Sequence, residues 1–495
     1  MTTRDTQVLV VGAGNAALTA ALAAAEQGAK VTVLERAPFD ERGGNSRFTA
    51  GAIRFAHNGL QDLLTVMPDL SAEERGNTDF GTYTREEFFD DMARVTRYRA
   101  DPDLVETLIN NSLDTLVWMR SKGIRFQPSY GRQAFKIEGK FKFWGGLCIE
   151  AWGGGPGLVE MLHAAAEKAG IDVLYETRAV SLIYEKGAVK GVVARSGTDV
   201  FDIRARAVVL ASGGFEANAE WRTRYLGPGW DLARVRGTRF NTGDGIRMAL
   251  DIGAMSTGNW SGCHAVGWDR NAPEFGDLAV GDGFQKHSYP LGIMVNATGK
   301  RFVDEGADFR NYTYAKYGHV ILNQPGQFAW QVFDAKVSKL LRDEYRIRQV
   351  TKATANSLEE LSRKLDDVDP RGFMQEVEAF NAAVMTEVPF NPAVKDGRGT
   401  RGLAVPKSNW ANVLDTPPFE AYAVTCGITF TFGGLKITSE GHVIDSDGLP
   451  IPGLYAAGEL VGGLFYFNYP GGTGLMSGSV FGRAAGASAA RSATS

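Results

Sequence analysis

The stretch TQVLVVGAGNAALTAALAAAEQGAKVTVLERAP, residues 6–38, decides the fold of this 495-residue chain. Val8 to Val11 is an unbroken apolar run, as a parallel strand covered on both faces requires. Gly12-Ala13-Gly14-Asn15-Ala16-Ala17 follows and opens an alanine-rich helix, after which KVTVLE reads as a second strand. Gly12 permits the tight turn, and Gly14 lets a pyrophosphate approach the backbone. Ala17 stands where a third glycine is usual and is small enough for helix–sheet packing. The phosphates would rest on the helix N-terminus, beside Asn15 and Ala16. Glu35, about 20 residues on, ends the second strand where a carboxylate holds ribose hydroxyls, with Arg36 next to it. Together these features predict an α/β fold of the Rossmann type around a dinucleotide.

The chain is too long for one ordinary core, so two or three domains are expected. With 44% hydrophobic and 22% charged residues and a net charge of −4, nothing calls for nucleic acid or a membrane surface. No apolar run reaches membrane-spanning length. The first strand begins within a few residues of Met1, which leaves no room for a signal peptide. Cys148, Cys263 and Cys426 lie far apart, so a cytoplasmic protein without disulfides or zinc is expected. Six scattered histidines offer no metal-ligand spacing.

Sixty glycines gather in short loops, which places backbone close to a ligand at several points. Gly43, Gly44, Asn45 and Ser46 follow the second strand, with Ala50 and Gly51 just beyond. They can lay N–H groups along a pyrophosphate and a second ring system. Residues 171–214 read as a strand, hairpins at Lys186-Gly187 and Ser196-Gly197, and a strand ending at Ala211-Ser212-Gly213; Ala179 and Val180 are candidate contacts there. Asp244 lies between glycines before a helix and reads either as a cofactor contact or as that helix's cap. A further strand ends at Gly458-Glu459, and Gly474 and Leu475 open the last helix. Contacts spread this widely imply one long, buried dinucleotide. From 266 to 428 no such signal appears.

In this combination the chain resembles the flavoproteins of the fumarate reductase and succinate dehydrogenase superfamily, over essentially its whole length. The resemblance implies FAD in a Rossmann-like, glutathione-reductase-type domain (1–265 and 429–495) with an inserted α+β substrate cap domain (266–428). Asn45-Ser46 stands where covalent members carry a histidine, which implies noncovalent FAD. In GIMVNATGKRFVDEGADFRNYTYAKYG the family's proton-transfer arginine falls on Phe309 or, with one inserted residue, on Arg310; the resemblance assigns the role to Arg310. The alternative is a surface arginine paired with Glu305 or Asp308. The upstream Glu…Arg relay of the reductases is replaced by Gln285 and Ser288, so His287 or Lys286 is expected to assist.

In YFNYPGGTGLMSG, residues 466–478, Tyr469 replaces the reductases' carboxylate-binding arginine, as in ketosteroid dehydrogenases, and should face the substrate. Thr429-Phe430 replaces a histidine pair. The two loops together resemble tricarballylate dehydrogenases. The expected reaction is removal of vicinal hydrogens next to a carboxylate or carbonyl, with a protein base taking the proton and the flavin the hydride. A cyclic-ketone or steroid-type dehydrogenase, an enoate reductase and a flavin-binding assembly or sensor protein are the alternatives. Arg132, Lys136, Lys140 and Lys142 are further candidate anion partners, although KIEGKFKFW also reads as a hairpin with a solvated lysine face. Phe141, Phe143 and Trp144 there would suit an apolar substrate. AWGGGPG, residues 151–157, opens another helix that can lie beside the flavin. A quinone or an electron-transfer protein is the expected acceptor, since no second nucleotide site or iron–sulfur cysteine set is present.

Overall fold

The computed structural model describes residues 3–494. β1 (Thr3–Val11) leads into α1 (Asn15–Glu26) and β2 (Val31–Leu34), and Val8 to Val11 lie register-matched between Val31–Leu34 and Ala207–Leu210. Far along the chain α2 (Gly154–Lys168) precedes β3 (Asp172–Leu174), β4 (Thr177–Glu185), β5 (Ala188–Ser196) and β6 (Asp199–Leu210). The sheet order is β4-β5-β6-β1-β2-β3, parallel from β6 to β3 and antiparallel through the β4–β5–β6 meander. β6 serves two neighbours on one edge. Residues 199–204 pair with β5, and 208–210 pair in parallel with β7 (Pro450–Ala456). The apolar runs are buried on both faces, so their side chains need no alternation.

α3 (Asp244–Leu250) packs over β4, and α4 (Thr473–Thr494) closes the chain against α1. Gly482 and Gly486 make the α1–α4 approach possible. A methyl group at either would sit 2.5 Å from the Ala16 carbonyl oxygen or 2.0 Å from that of Ala20. Asn15 locks the pair, its Nδ2 donating to Leu475 O at 2.9 Å and to Ser479 Oγ at 3.0 Å.

The second half is built on a six-stranded sheet around one long strand, Phe419–Leu435, with its own core of Ile293, Trp330, Val332, Phe373 and neighbours. The strand Ser256–Asp269 pairs with Phe419–Leu435 along nearly its whole length. The boundaries expected at 265/266 and 428/429 therefore both fall inside strands. The chain passes between its halves as a paired ribbon rather than through a loop, so no change of composition marks the crossing. A buried bidentate pair, Arg301 with Glu305 at 2.7 Å, anchors the segment leading to residue 310. The lysine-rich stretch is a hairpin, Ala134–Ile137 with Lys140–Phe143. Among the described residues no helix is long and apolar enough to cross a membrane, and no group of three or more His, Cys, Asp and Glu could hold a metal.

Gly486→Ala should push the closing helices apart and cost about 1–3 kcal/mol, read as a lower thermal-unfolding midpoint. Gly76→Ala, in the exposed helix Ala72–Asn77 with nothing within 4 Å, is the control and should be neutral or slightly stabilising. Equal effects of the two substitutions would mean that the α1–α4 contact does not limit stability.

Candidate active site

A long cavity runs from the β1–α1 turn to the junction of the two halves. At its first end, Gly12 holds φ +110°, and a Cβ there would meet the Ala211 carbonyl oxygen at 2.4 Å. Only glycine leaves this space open. Gly14, Asn15, Ala16, Gly44, Asn45, Ser46 and Ala50 continue the lining, together with Ala179, Ala211, Ser212, Gly213, Gly458, Glu459, Gly474 and Leu475. Four expected contacts stand behind the wall instead. Ala17 is packed in the core, Gly43 abuts Val159, and Gly51 abuts Gly154. Val180 turns its carbonyl to Arg247 Nη2 at 2.9 Å. The helix opened by AWGGGPG is α2, and it buttresses the 46–51 loop without lining the cavity.

Glu35 ends β2 on the cavity wall, where its Oε1 accepts from Ala37 N at 2.8 Å and burial raises its pKa. Asp244 does not cap α3. Its carboxylate pairs with Arg36 at 3.0 Å and with Arg178 at 2.7 Å, joining three wall residues. Asn45 donates to Glu216 Oε1 at 2.6 Å and to Thr429 O at 2.7 Å, tying the first loop to the long central strand. Asn241 donates to Glu216 Oε1 at 2.7 Å and reaches Glu459 Oε2 at 3.5 Å. Burial raises the pKa of both carboxyls, and the charge of Glu216 raises that of Glu459 further. Glu216 Oε2 finds no donor among the described residues.

At the other end, Tyr469 lies just before α4, and its hydroxyl bonds to that of Tyr314. His264 packs against both rings, with centroids 4.8 and 4.9 Å away, and His287 lies 4.9 Å from Tyr314. Both imidazoles are buried without hydrogen-bond partners, and burial holds their pKa values well below 6.5, so both are neutral at neutral pH. Arg310 is buried between the rings of Trp144 and Tyr314, its guanidinium carbon 5.6 and 5.4 Å from their centroids. It makes one long hydrogen bond, to Arg132 O at 3.4 Å, and its Nε is unpaired. The surface-pair alternative fails, because Glu305 is taken by Arg301 and Asp308 by Arg94. Phe309 turns the other way, stacking on Trp144.

Several expected anion partners are elsewhere. Lys286 is buried but turns its ammonium onto the carbonyls of Gly283, Phe284 and Gln285, away from the cavity. Lys136, Lys140 and Lys142, like Phe141, Phe143 and Trp144, do not line the cavity. Arg132 does, paired with Asp282 at 3.1 Å. Four further residues of this end were not anticipated. Arg236 is paired with Asp282 at 2.6 Å. Arg342 has a buried, unpaired Nη2, and burial and the charge of Arg310 push its pKa down to about 9. Tyr314 and His264 are the others. Tyr314 had a legible signal, since it stands four residues beyond Arg310. For Arg236, Arg342 and His264 nothing in the local sequence marks them.

The family described as FAD binding domain matches residues 7–475. A probable fumarate reductase, Ifc3, of Shewanella frigidimarina is 30% identical over 504 residues, covering 99% of this chain and 75% of its own. A 4-oxocyclohexanecarboxylate 2-dehydrogenase of Sinomonas cyclohexanicum is 29% identical over 544 residues, covering 94% and 89%. The fold is shared with a 3-ketosteroid Δ1-dehydrogenase from Sterolibacterium denitrificans at a TM-score of 0.76 and 21% identity, covering 99% and 100%. The cavity suits such a cofactor. Its glycine cradle leaves the space that side chains would fill, a helix N-terminus faces each end, and Glu35 and Asp244 offer carboxylates.

The carboxyl pair generates a pH prediction. Below the ordinary carboxylate range the folded and unfolded chains both hold these protons. As pH rises further, the unfolded chain ionises while the folded chain keeps its proton, so the folded state binds more protons and stability falls. Glu459→Gln removes part of that slope, and the urea midpoint should decline less between about pH 5 and 8 than in the wild type. Parallel declines would mean that the pair ionises as freely as exposed carboxyls.

Proposed function

The chain belongs to the FAD binding domain family of oxidoreductases, and on that premise we propose that it is a dehydrogenase that desaturates a CH–CH bond next to a carbonyl or carboxylate. The observation that carries this reading is a set of buried polar atoms left without partners around one end of the cavity. Arg310 Nε, Arg342 Nη2 and both nitrogens of His264 and His287 are all buried without a protein partner, beside the Tyr314–Tyr469 hydroxyl pair. Buried donors are left open where a ligand completes them. The site thus has two poles: hydroxyls that donate to a carbonyl oxygen, and guanidinium groups that pair with an anion.

Bound FAD supplies the two-electron acceptor for the hydride of the β-carbon. The hydroxyl pair holds the carbonyl oxygen and acidifies the α-carbon, because negative charge grows on that oxygen as the proton leaves. Burial lowers the pKa of Arg310, which lets its guanidinium first give up a proton to the neutral imidazole of His287 beside it and then take the α-proton, leaving the other arginines to pair with the anion. Four arginines stand at this end, and Asp282 and Glu344 neutralise two of them. The net positive charge matches a substrate with one or two carboxylates better than tricarballylate with three. An oxo-carboxylate, such as the one the Sinomonas relative's name specifies, offers both a carbonyl and an anion. The fumarate reductase relative supports the reverse, reductive direction as the second reading.

Noncovalent FAD is part of the proposal, since Asn45 and Ser46 are committed to protein partners. So is a cytoplasmic setting, on three buried free cysteines, with a quinone or electron-transfer protein as acceptor. Anaerobic mixing with saturated oxo-acids, dicarboxylates, tricarballylate and cyclic ketones tests the reading. Flavin absorbance should fall with the first two classes, and bleaching by none of them would overturn it.

Acid precipitation should release intact FAD into the supernatant; yellow colour kept by the denatured chain would exclude noncovalent binding. Arg310→Lys keeps charge but loses the planar fork, and turnover should disappear at normal flavin content. Tyr469→Phe removes one donor to the growing charge and should lower kcat by about 10²–10³ for a ketone. Unchanged kcat and KM in the tyrosine variant would reduce Tyr469 to packing.

A further inference from the structure

A second chamber adjoins the flavin cavity. The two share four lining residues, Arg132, His287, Arg310 and Arg342, which form the partition between them. Beyond this partition the character changes. The chamber, about 320 Å³ in volume, is walled by Phe135 and Trp144 from the first half of the chain and by Phe309, Leu340, Leu341 and Trp410 from the cap. The aromatic rings form a ladder: Phe135 to Trp144 at 6.3 Å, Trp144 to Phe309 at 5.4 Å, and Phe309 to Trp410 at 5.8 Å between centroids. Lys136, Lys339 and Asp343 line the chamber as well, so its apolar part is this ladder with Leu340 and Leu341, and an apolar group lying along it gains contacts and hydration free energy. The partition itself is underpaired, with open atoms on the Arg310 and Arg342 guanidinium groups and on the neutral His287 ring.

We propose that the chamber is a substrate subsite, and that it takes an apolar, ring-bearing arm branching beside the carboxylate held at the partition. The substrate class is then a carboxylate with an apolar extension rather than a compact polycarboxylate. This rests on the reading of the partition as the carboxylate anchor. It is independent of which bond is desaturated. Arg310 links the two compartments physically, because the Trp144 ring of the chamber and the Tyr314 ring of the flavin cavity flank the same guanidinium. An arm that packs along the edge of the ladder therefore lies beside the anchor.

The test uses the FAD-loaded enzyme and two probes, succinate and 2-benzylsuccinate, each titrated against the visible flavin spectrum. Burial of the benzyl ring should make 2-benzylsuccinate bind about 10- to 100-fold more tightly. Leu340→Trp fills the chamber from its half-buried rim and should abolish that advantage with succinate binding unchanged. Phe135→Ala, which shortens the ladder from the hairpin side, should reduce the advantage several-fold and serves if Leu340→Trp does not fold. Equal binding of the two probes to the wild type overturns the chamber as a subsite while leaving the carboxylate anchor standing. A benzyl advantage that survives both substitutions overturns the subsite in the same way. Failure of both probes to bind overturns the anchor, and the subsite with it.

Discussion

Everything at the cavity depends on the contact between α1 and α4, the first and last long helices of the chain. They touch backbone to backbone because Gly482 and Gly486 carry no side chain, and Asn15 bridges to Leu475 and Ser479 across more than 450 residues of sequence. Each helix begins at the cavity. Their shared packing therefore sets where two positive helix ends point, one beside the glycine turn at Gly12 and one beside Tyr469. Between them the chain can insert a large cap without disturbing the relation, since that insertion enters and leaves as one paired ribbon, Ser256–Asp269 with Phe419–Leu435.

The cavity is electrically divided. Along the glycine cradle lie carboxyl groups: Glu35, Asp244 with its two arginines, and the Glu216–Glu459 pair, whose pKa values burial raises. At the junction with the cap lie four arginines, two neutral imidazoles and two joined tyrosine hydroxyls. Charges in a dry place are costly unless paired. Arg310 meets that cost in part by lying between two aromatic faces, and Arg342 in part by its charge partner Glu344 at 4.0 Å. What remains uncompensated are the open donors Arg310 Nε and Arg342 Nη2.

The contrast between Lys286 and Arg342 shows how little charge alone says about a site. Both stand in segments rich in polar residues. Lys286 folds its ammonium onto three carbonyls of its own turn and never reaches the ligand space. Arg342, in an ordinary charged stretch, arrives at the partition from another part of the cap. Local backbone geometry decides the first, and long-range packing of residues 338–345 against the central sheet decides the second.

By itself, the sequence determined the nucleotide half of this protein. Apolar runs, glycine turns and the acid after β2 are local signals, because a buried parallel strand and a phosphate-binding turn impose their demands within a few residues. The resemblance of two short stretches also singled out Arg310 and Tyr469, and both line the cavity. Only the tertiary structure decided which of the surrounding groups meet them. Tyr314 was within reach of helical spacing, but His264, Arg236 and Arg342 come together through pairing of strands and loops far apart in the chain. The domain boundaries were likewise invisible, because a ribbon that runs through both halves has no turn at which to change. Side-chain direction is a long-range property, set by what the neighbouring elements leave unfilled, and no window of sequence contains it.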